Sequence, residues 1–231
     1  MTAASGAEIT LTFDNGPEPE VTPAVLDVLR RRGLRATFFV MGRKLAEGAG
    51  HALAERAHAE GHWIGNHTFT HGTPLGEQPD EDRIAEAEIA RAQDLIGGLA
   101  HPDRLFRPFG GGGRIGPHLL NGASLVYLLR HRFTCVLWNA VPGDWQDPDG
   151  WVERALAQCA GASPSVLVLH DLPTGAMRHL DRCLGLLADR GCRFPQAFPA
   201  ACTPIRRGVP QMPMDAYVTR GAAGPGRAPA S

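Results

Sequence analysis

The chain has 231 residues, 43% of them apolar, enough for one sizeable globular core. Its 23 lysines and arginines are balanced by 24 aspartates and glutamates, which argues against a polyanion-binding surface or an electrostatic membrane anchor. Neither nucleic acid nor a membrane is expected as a partner, and no apolar run approaches the roughly 20 residues needed to cross a bilayer.

In chain order, short apolar runs alternate with helical patterns, the signature of βα units on a largely parallel sheet or barrel. "EITLTF" is the first strand candidate, followed by "TPAVLDVLRRRG", a short helix with a Thr cap, Pro in its first turn and a closing Gly. "ATFFVM" and "HWIGN" are the next strands. "PDEDRIAEAEIARAQDLIGG" then carries Ala85, Ile89, Ala92 and Ile96 on one helical face, with acids crowding its start. "RLFR", "FTCVLWNA" and "SVLVLH" complete the strands, with helices in "DPDGWVERALAQCAG" and "TGAMRHLDRCLGLLADRG". From about Pro204 the composition turns to Pro, Gly, Arg and Ala without apolar periodicity. Residues 1–203 are therefore expected to form the catalytic-sized domain and 204–231 an extended or disordered tail.

The five cysteines are odd in number and lack CxxC spacing, so buried free thiols are expected. Met1 stands a few residues before the first strand, too close for a secretory leader, so the expected location is cytoplasmic.

On such a framework function gathers where strands end, and polar residues follow several of the apolar runs. Asp14 and Asn15 follow "LTF", His67 and His71 follow "WIGN", Arg107 follows "LF", Asp144 and Trp145 follow "VLWNAVPG", and His170 follows "VLVL". "HTFTH" places two imidazoles at i and i+4, which in a helical turn could grip one metal ion, zinc being a common choice. Taken singly these residues also admit plainer roles: capping histidines, a turn-forming Asp14 ahead of Gly16 and Pro17, an Arg107 paired with a local acid. The "GGGG" run at Gly110 to Gly113 lacks the Lys-Ser/Thr ending of a phosphate-binding loop. His51, His58, His62, His101, His118, His131 and His179 have no partner at comparable spacing and are expected to be surface or structural.

Taken in order, "TFDNGP", "NHTFTH", "FRPFGG", "GDW" and "VLVLH" resemble the motifs of the polysaccharide deacetylases, the NodB homology domain of carbohydrate esterase family 4, over about Ile9 to His170. The resemblance implies an α/β fold, a deformed (β/α) barrel of about seven strands, and hydrolysis of an amide with water and a divalent metal, zinc foremost. It implies Asp14 as general base and His170 as general acid, with Arg107 orienting the base. Asp144 would orient His170 and set its charge. His67 and His71 would be metal ligands, with Asn15 at the position of the third; Trp145 and Phe109 would line the substrate pocket.

Three positions depart from the family pattern. Asn15 stands where a ligand Asp is usual, removing one unit of compensating charge and predicting weaker metal binding. Val141 stands where many members carry an Asp that pairs with the Arg, leaving Arg107 expected to be held by Asp14 alone. Phe109 replaces the second Pro of the third motif. The Asp-Asn pair is also similar to the muramic acid deacetylase branch that prepares spore peptidoglycan. The expected reaction is metal-assisted de-N-acetylation of an amino sugar or soluble oligosaccharide. Hydrolysis of a cyclic amide or ureide on the same fold, as in allantoinase-like and cyclic imide-hydrolysing relatives, is the alternative, and a non-catalytic glycan-binding or scaffold protein is a second.

Overall fold

Each of the six predicted strand segments contributes to one sheet in the structure, a computed structural model that describes residues 6–162 and 164–219. In chain order the elements are β1 (Ile9–Asp14), α1 (Thr22–Arg32), β2 (Thr37–Val40), α2 (Gly42–Ala46), α3 (Gly50–Ala59), β3 (Trp63–Asn66) and α4 (Asp82–Ala85). After a π-helical segment (Glu86–Ala90) come α5 (Arg91–Ile96), β4 (Leu105–Phe106), α6 (Gly122–Arg130), β5 (Thr134–Cys135), α7 (Trp151–Gly161), β6 (Ser165–His170), α8 (Leu180–Asp189), β7 (Ile205–Arg206) and β8 (Val209–Pro210).

The sheet order is β6-β1-β2-β3-β4-β5-β7-β8. The first six strands run parallel, and β7 and β8 add to β5 as an antiparallel hairpin. The run after β5 returns to β6, where Ala140 bridges Leu167. The Ala140 N–H donates to the Val166 carbonyl at 3.2 Å, and its carbonyl accepts from Val168 at 2.9 Å. This contact rolls the parallel strands into a deformed (β/α) barrel.

Period-two alternation decides what enters the barrel. On β1, Ile9, Leu11 and Phe13 pack outward with Leu167 and Leu169 of β6 and with the apolar faces of α1, α7 and α8. The opposite set is Thr10, Thr12 and Asp14, each buried. On β6 the inward set is Val166, Val168 and His170, the first two joining Phe106, Cys135 and Trp138 in a second cluster. Polar residues at the strand ends thus inherit an inward direction from the alternation beneath them.

Three expectations need correction. Thr22 is not the cap of α1: the cap position is Val21 and no side chain caps it. The Thr22 hydroxyl is occupied instead, accepting from the Glu18 N–H at 2.7 Å and donating to Asp171. The closing Gly33 does adopt the left-handed conformation, φ 64°, that ends the helix. The expected tail does not begin at 204, because Ile205 is fully buried and paired with Cys135, and the Thr219 N–H donates to the Leu120 carbonyl at 2.9 Å. A hairpin this short has no periodicity to detect, and it gives the sheet eight strands rather than seven. Residues 220–231 of the expected tail lie outside the described residues.

All five cysteines are free, and four are buried. Among the described residues no helix is long and apolar enough to cross a membrane.

Candidate active site

At the C-terminal ends of the parallel strands lies a pocket of about 310 Å³, within the lower range of small-molecule sites. Of the nine predicted site residues, seven line it: Asp14, Asn15, His67, His71, Phe109, Trp145 and His170. Arg107 and Asp144 lie directly behind and are fully buried.

Parallel pairing aligns Asp14 of β1 with His170 of β6, so two titratable groups enter the pocket from neighbouring strands at the same level. Each has its own partner. Arg107 Nη1 donates to Asp14 Oδ1 at 2.8 Å and to Thr12 Oγ1 at 2.7 Å. Its Nε and Nη2 reach the carbonyls of Val136 at 3.2 Å and Leu137 at 3.4 Å. The guanidinium also lies over the Phe39 ring, 4.1 Å from its centroid. Among the described residues Asp14 is therefore the only carboxylate on Arg107 but not its only partner, which corrects the expectation drawn from Val141. Burial pulls the Arg107 pKa below its ordinary value, against the opposing pull of Asp14.

On the other side, Asp144 accepts from the His170 main-chain N–H at 2.8 Å and from Nδ1 at 2.9 Å. A carboxylate accepts only, so Nδ1 carries the proton and Nε2 is left for the pocket. Burial pulls the His170 pKa down. The Asp144 hydrogen bond and charge, with the charges of Asp14 and Asp171, outweigh burial and hold it above the ordinary histidine value. Trp145 meets the His170 ring edge-on at 4.5 Å and fixes its plane.

His67 and His71 converge with ring centroids 4.7 Å apart, but not through a helical turn. Residues 67–71 form an irregular loop with Thr68 and His71 at φ 65° and 53°, so the two rings are neighbours but the helical turn expected to bring them together is absent. His67 Nδ1 donates to the Arg107 carbonyl at 2.8 Å, turning the Nε2 lone pair inward, 3.7 Å from Asp14 Oδ2. Burial, above all, pulls both imidazole pKa values down to about 3, so both are neutral and able to donate lone pairs at pH 7. The Oδ1 of Asn15 is buried without a hydrogen-bond partner among the described residues. Asn15 itself sits at φ 73°, a conformation Asn tolerates better than most residues.

Among the described residues no group of three or more His, Cys, Asp or Glu side chains is placed to hold a metal. Two neutral imidazoles and one orphaned carboxamide oxygen line the same pocket with lone pairs to offer, a donor set whose chemistry suits a divalent cation.

Several pocket residues escaped sequence reasoning. Trp138, Val141, Val168 and Leu172 supply apolar walls, and Trp138 Nε1 donates to the Gly113 carbonyl at 2.8 Å, pinning the glycine loop. A Cβ on Gly110 would lie 2.5 Å from the Trp138 ring, so the close approach requires glycine. Phe109 lies against His71, centroids 3.9 Å apart with the rings tilted by 38°. Thr12, two residues before Asp14 on one strand face, is the one missed partner that period-two counting could have found. The seven other histidines do not line this pocket.

A carboxylate and an imidazole, each held by its own buried partner beside a histidine pair, are the kinds of group a hydrolytic site needs, and they sit at the mouth of a (β/α) barrel. A sequence model described as polysaccharide deacetylase matches residues 2–118. A peptidoglycan-N-acetylglucosamine deacetylase of Bacillus cereus is 30% identical over 195 residues, spanning 81% of this chain and 66% of that protein. A chitooligosaccharide deacetylase of Azorhizobium caulinodans is 34% identical over 167 residues, 71% of this chain and 74% of its own length. Among solved structures, a family 4 carbohydrate esterase from Streptomyces lividans in complex with acetate superposes with a TM-score of 0.68 and 29% identity, over 87% of this chain and 97% of that one. The chain belongs to the polysaccharide deacetylase family, hydrolases of carbon–nitrogen bonds other than peptide bonds.

Proposed function

We propose that the protein removes the acetyl group from an N-acetylated amino sugar, with a soluble oligosaccharide as substrate: amide and water give a free amine and acetate. The observation that carries this is the register match of Asp14 and His170 across one pocket. The relatives' names, peptidoglycan and chitooligosaccharide deacetylases, support the substrate class.

Asp14, oriented by Arg107, takes the proton from the attacking water. His170, held as the imidazolium by Asp144, gives a proton from Nε2 to the departing nitrogen. Trp145, Trp138 and Leu172 make the surroundings of the acyl group dry. His67, His71 and Asn15 would hold a divalent cation, Zn²⁺ by the nitrogen-rich donor set, which when bound polarises the amide carbonyl. A cytoplasmic location is part of the proposal, supported by five free cysteines.

The test is acetate release from N-acetylated chito-oligosaccharides by protein loaded with zinc and by the same protein after chelation. Turnover that Asp14→Ala abolishes supports the reading. Absence of turnover on glycans, with hydrolysis of a cyclic imide, would move the substrate to the cyclic amides and overturn it.

A further inference from the structure

The loop joining His67 to His71 holds two non-glycine residues in the left-handed region, a conformation that persists only where the surroundings over-determine it. Its main chain is bonded along its length. The N–H groups of Phe69 and Thr70 donate to Glu88 Oε2 at 3.1 and 2.9 Å, and the Thr70 hydroxyl donates to Glu88 Oε1 at 2.7 Å. The Thr68 N–H donates to Asn66 Oδ1 at 2.9 Å, while Asn66 Nδ2 donates to the Ile89 carbonyl at 2.9 Å. On the opposite side, the carbonyls of Thr68 and Phe69 accept from Gly42 and Arg43 at 3.0 Å each.

Both ties from the first side end on consecutive residues, Glu88 and Ile89. These lie in the π-helical segment, where the Arg91 N–H reaches back to Glu86, a local widening of the helix that often accompanies functional sites. Glu88 is only 7% exposed and has no ion-pair partner among the described residues, so its charge is met by the loop's own donors. A carboxylate buried without a cation is expensive, and here its acceptors serve one loop.

We infer that Glu88 is a positioning residue: through the Phe69–Thr70 main chain it sets the approach of His71 to His67, and so the affinity of that pair for a divalent cation. The inference rests on the reading of His67 and His71 as metal ligands. Reach, and the single oxygen that accepts both N–H groups, rather than charge, carry the effect. Gln keeps an oxygen for the two N–H groups and turns its amide toward the Thr70 hydroxyl, which can accept as well as donate.

The test is zinc affinity by competition with a chromophoric chelator, alongside amide exchange of Phe69 and Thr70 in the metal-free protein. Glu88→Ala should weaken zinc binding about 10–100-fold and speed exchange at both amides about tenfold or more. Glu88→Asp, too short to bring one oxygen to both N–H groups, should move the same way, and Glu88→Gln should stay within about threefold of the parent. Parental affinity and exchange in both the Ala and Asp variants, each folded by circular dichroism, would overturn the inference; if the Ala variant does not fold, the Asp variant decides. Absence of zinc binding by the unsubstituted protein would defeat the metal-site reading instead, and the exchange rates alone would then decide the role of Glu88.

Discussion

Asp144→Asn isolates the contribution of the acid's partner. Both oxygens of Asp144 are committed, one to the main-chain N–H of His170 and one to Nδ1, and the residue is fully buried. The main-chain N–H cannot change, so the carboxamide oxygen must turn toward it, leaving the NH₂ group facing Nδ1. Nδ1 then has to accept, which a neutral imidazole protonated at Nε2 can do and an imidazolium cannot. The variant keeps the shape of the site and loses the charged form of its acid. General acid catalysis is worth about 10²–10⁴-fold, so kcat should fall by about that factor, about 2.7–5.4 kcal/mol of transition-state stabilisation. The sign of the pH effect follows from the raised His170 pKa: activity requires the protonated ring and declines as pH rises through that value. Without the carboxylate the declining limb moves toward acid pH. Acetate release measured from pH 5 to 10 reports both quantities. A variant with kcat within about threefold of the parent and an unmoved alkaline limb would refute the assignment of His170 and Asp144.

Arg107→Met should strand the Asp14 carboxylate in a buried site and lower stability by about 3–5 kcal/mol, read as a lower midpoint in thermal unfolding; an unchanged midpoint would show that the pair contributes nothing to the fold. Asp171 is fully buried, one of its oxygens has no hydrogen-bond partner among the described residues, and burial chiefly raises its pKa to about 7. Because the folded state retains this proton where the unfolded state has lost it, stability falls as pH rises from about 4 to about 7. Asp171→Asn should therefore gain on the parent over that window, on the order of 4 kcal/mol. A difference between the two proteins that stays flat from pH 4 to pH 8 in urea unfolding would contradict the burial account. Asn15→Asp should bind zinc at least tenfold more tightly, the added carboxylate facing a divalent ion at short range; equal or weaker binding by calorimetric titration would show that Asn15 does not face the ion.

The site was legible wherever a strand supplied both a direction and an end. Asp14, His67, Arg107 and His170 each follow an apolar run, and parallel pairing brings the ends of such runs to one rim by construction. Asp144 and Trp145 sit beyond a bend, and only the motif order tied them to His170. What could not be read was whatever depends on distant packing. The 67–71 loop looked helical because i, i+4 spacing is local, but its hydrogen bonds go to Glu88 and to the start of α2. Glu88 itself reads as one more surface acid in "EAEIA", since no local pattern announces a π turn. Thr22 looked like a cap until Asp171, 149 residues away, proved to hold its hydroxyl. Trp138 lies in an apolar run where an inward-facing tryptophan cannot be told from core by sequence.

The charges in the pocket explain why a carboxamide can stand at position 15. Arg107 meets Asp14 at 2.8 Å, Asp144 meets the His170 ring at 2.9 Å and helps raise its pKa, and His67 and His71 are neutral at working pH because burial pulls their pKa values down to about 3. Asp14 and Asp144 thus each have a donor in hydrogen-bond contact before any cation arrives. A carboxylate at position 15, its Oδ1 buried and unpartnered as the carboxamide's is, would be the one uncompensated charge and would destabilise the metal-free fold. With Asn15 no such charge is left unmet, and in the proposed site affinity for the cation would rest on two imidazoles and a neutral oxygen. How closely the loop clamped by Glu88 brings those imidazoles together then matters more than it would in a site with a ligand carboxylate.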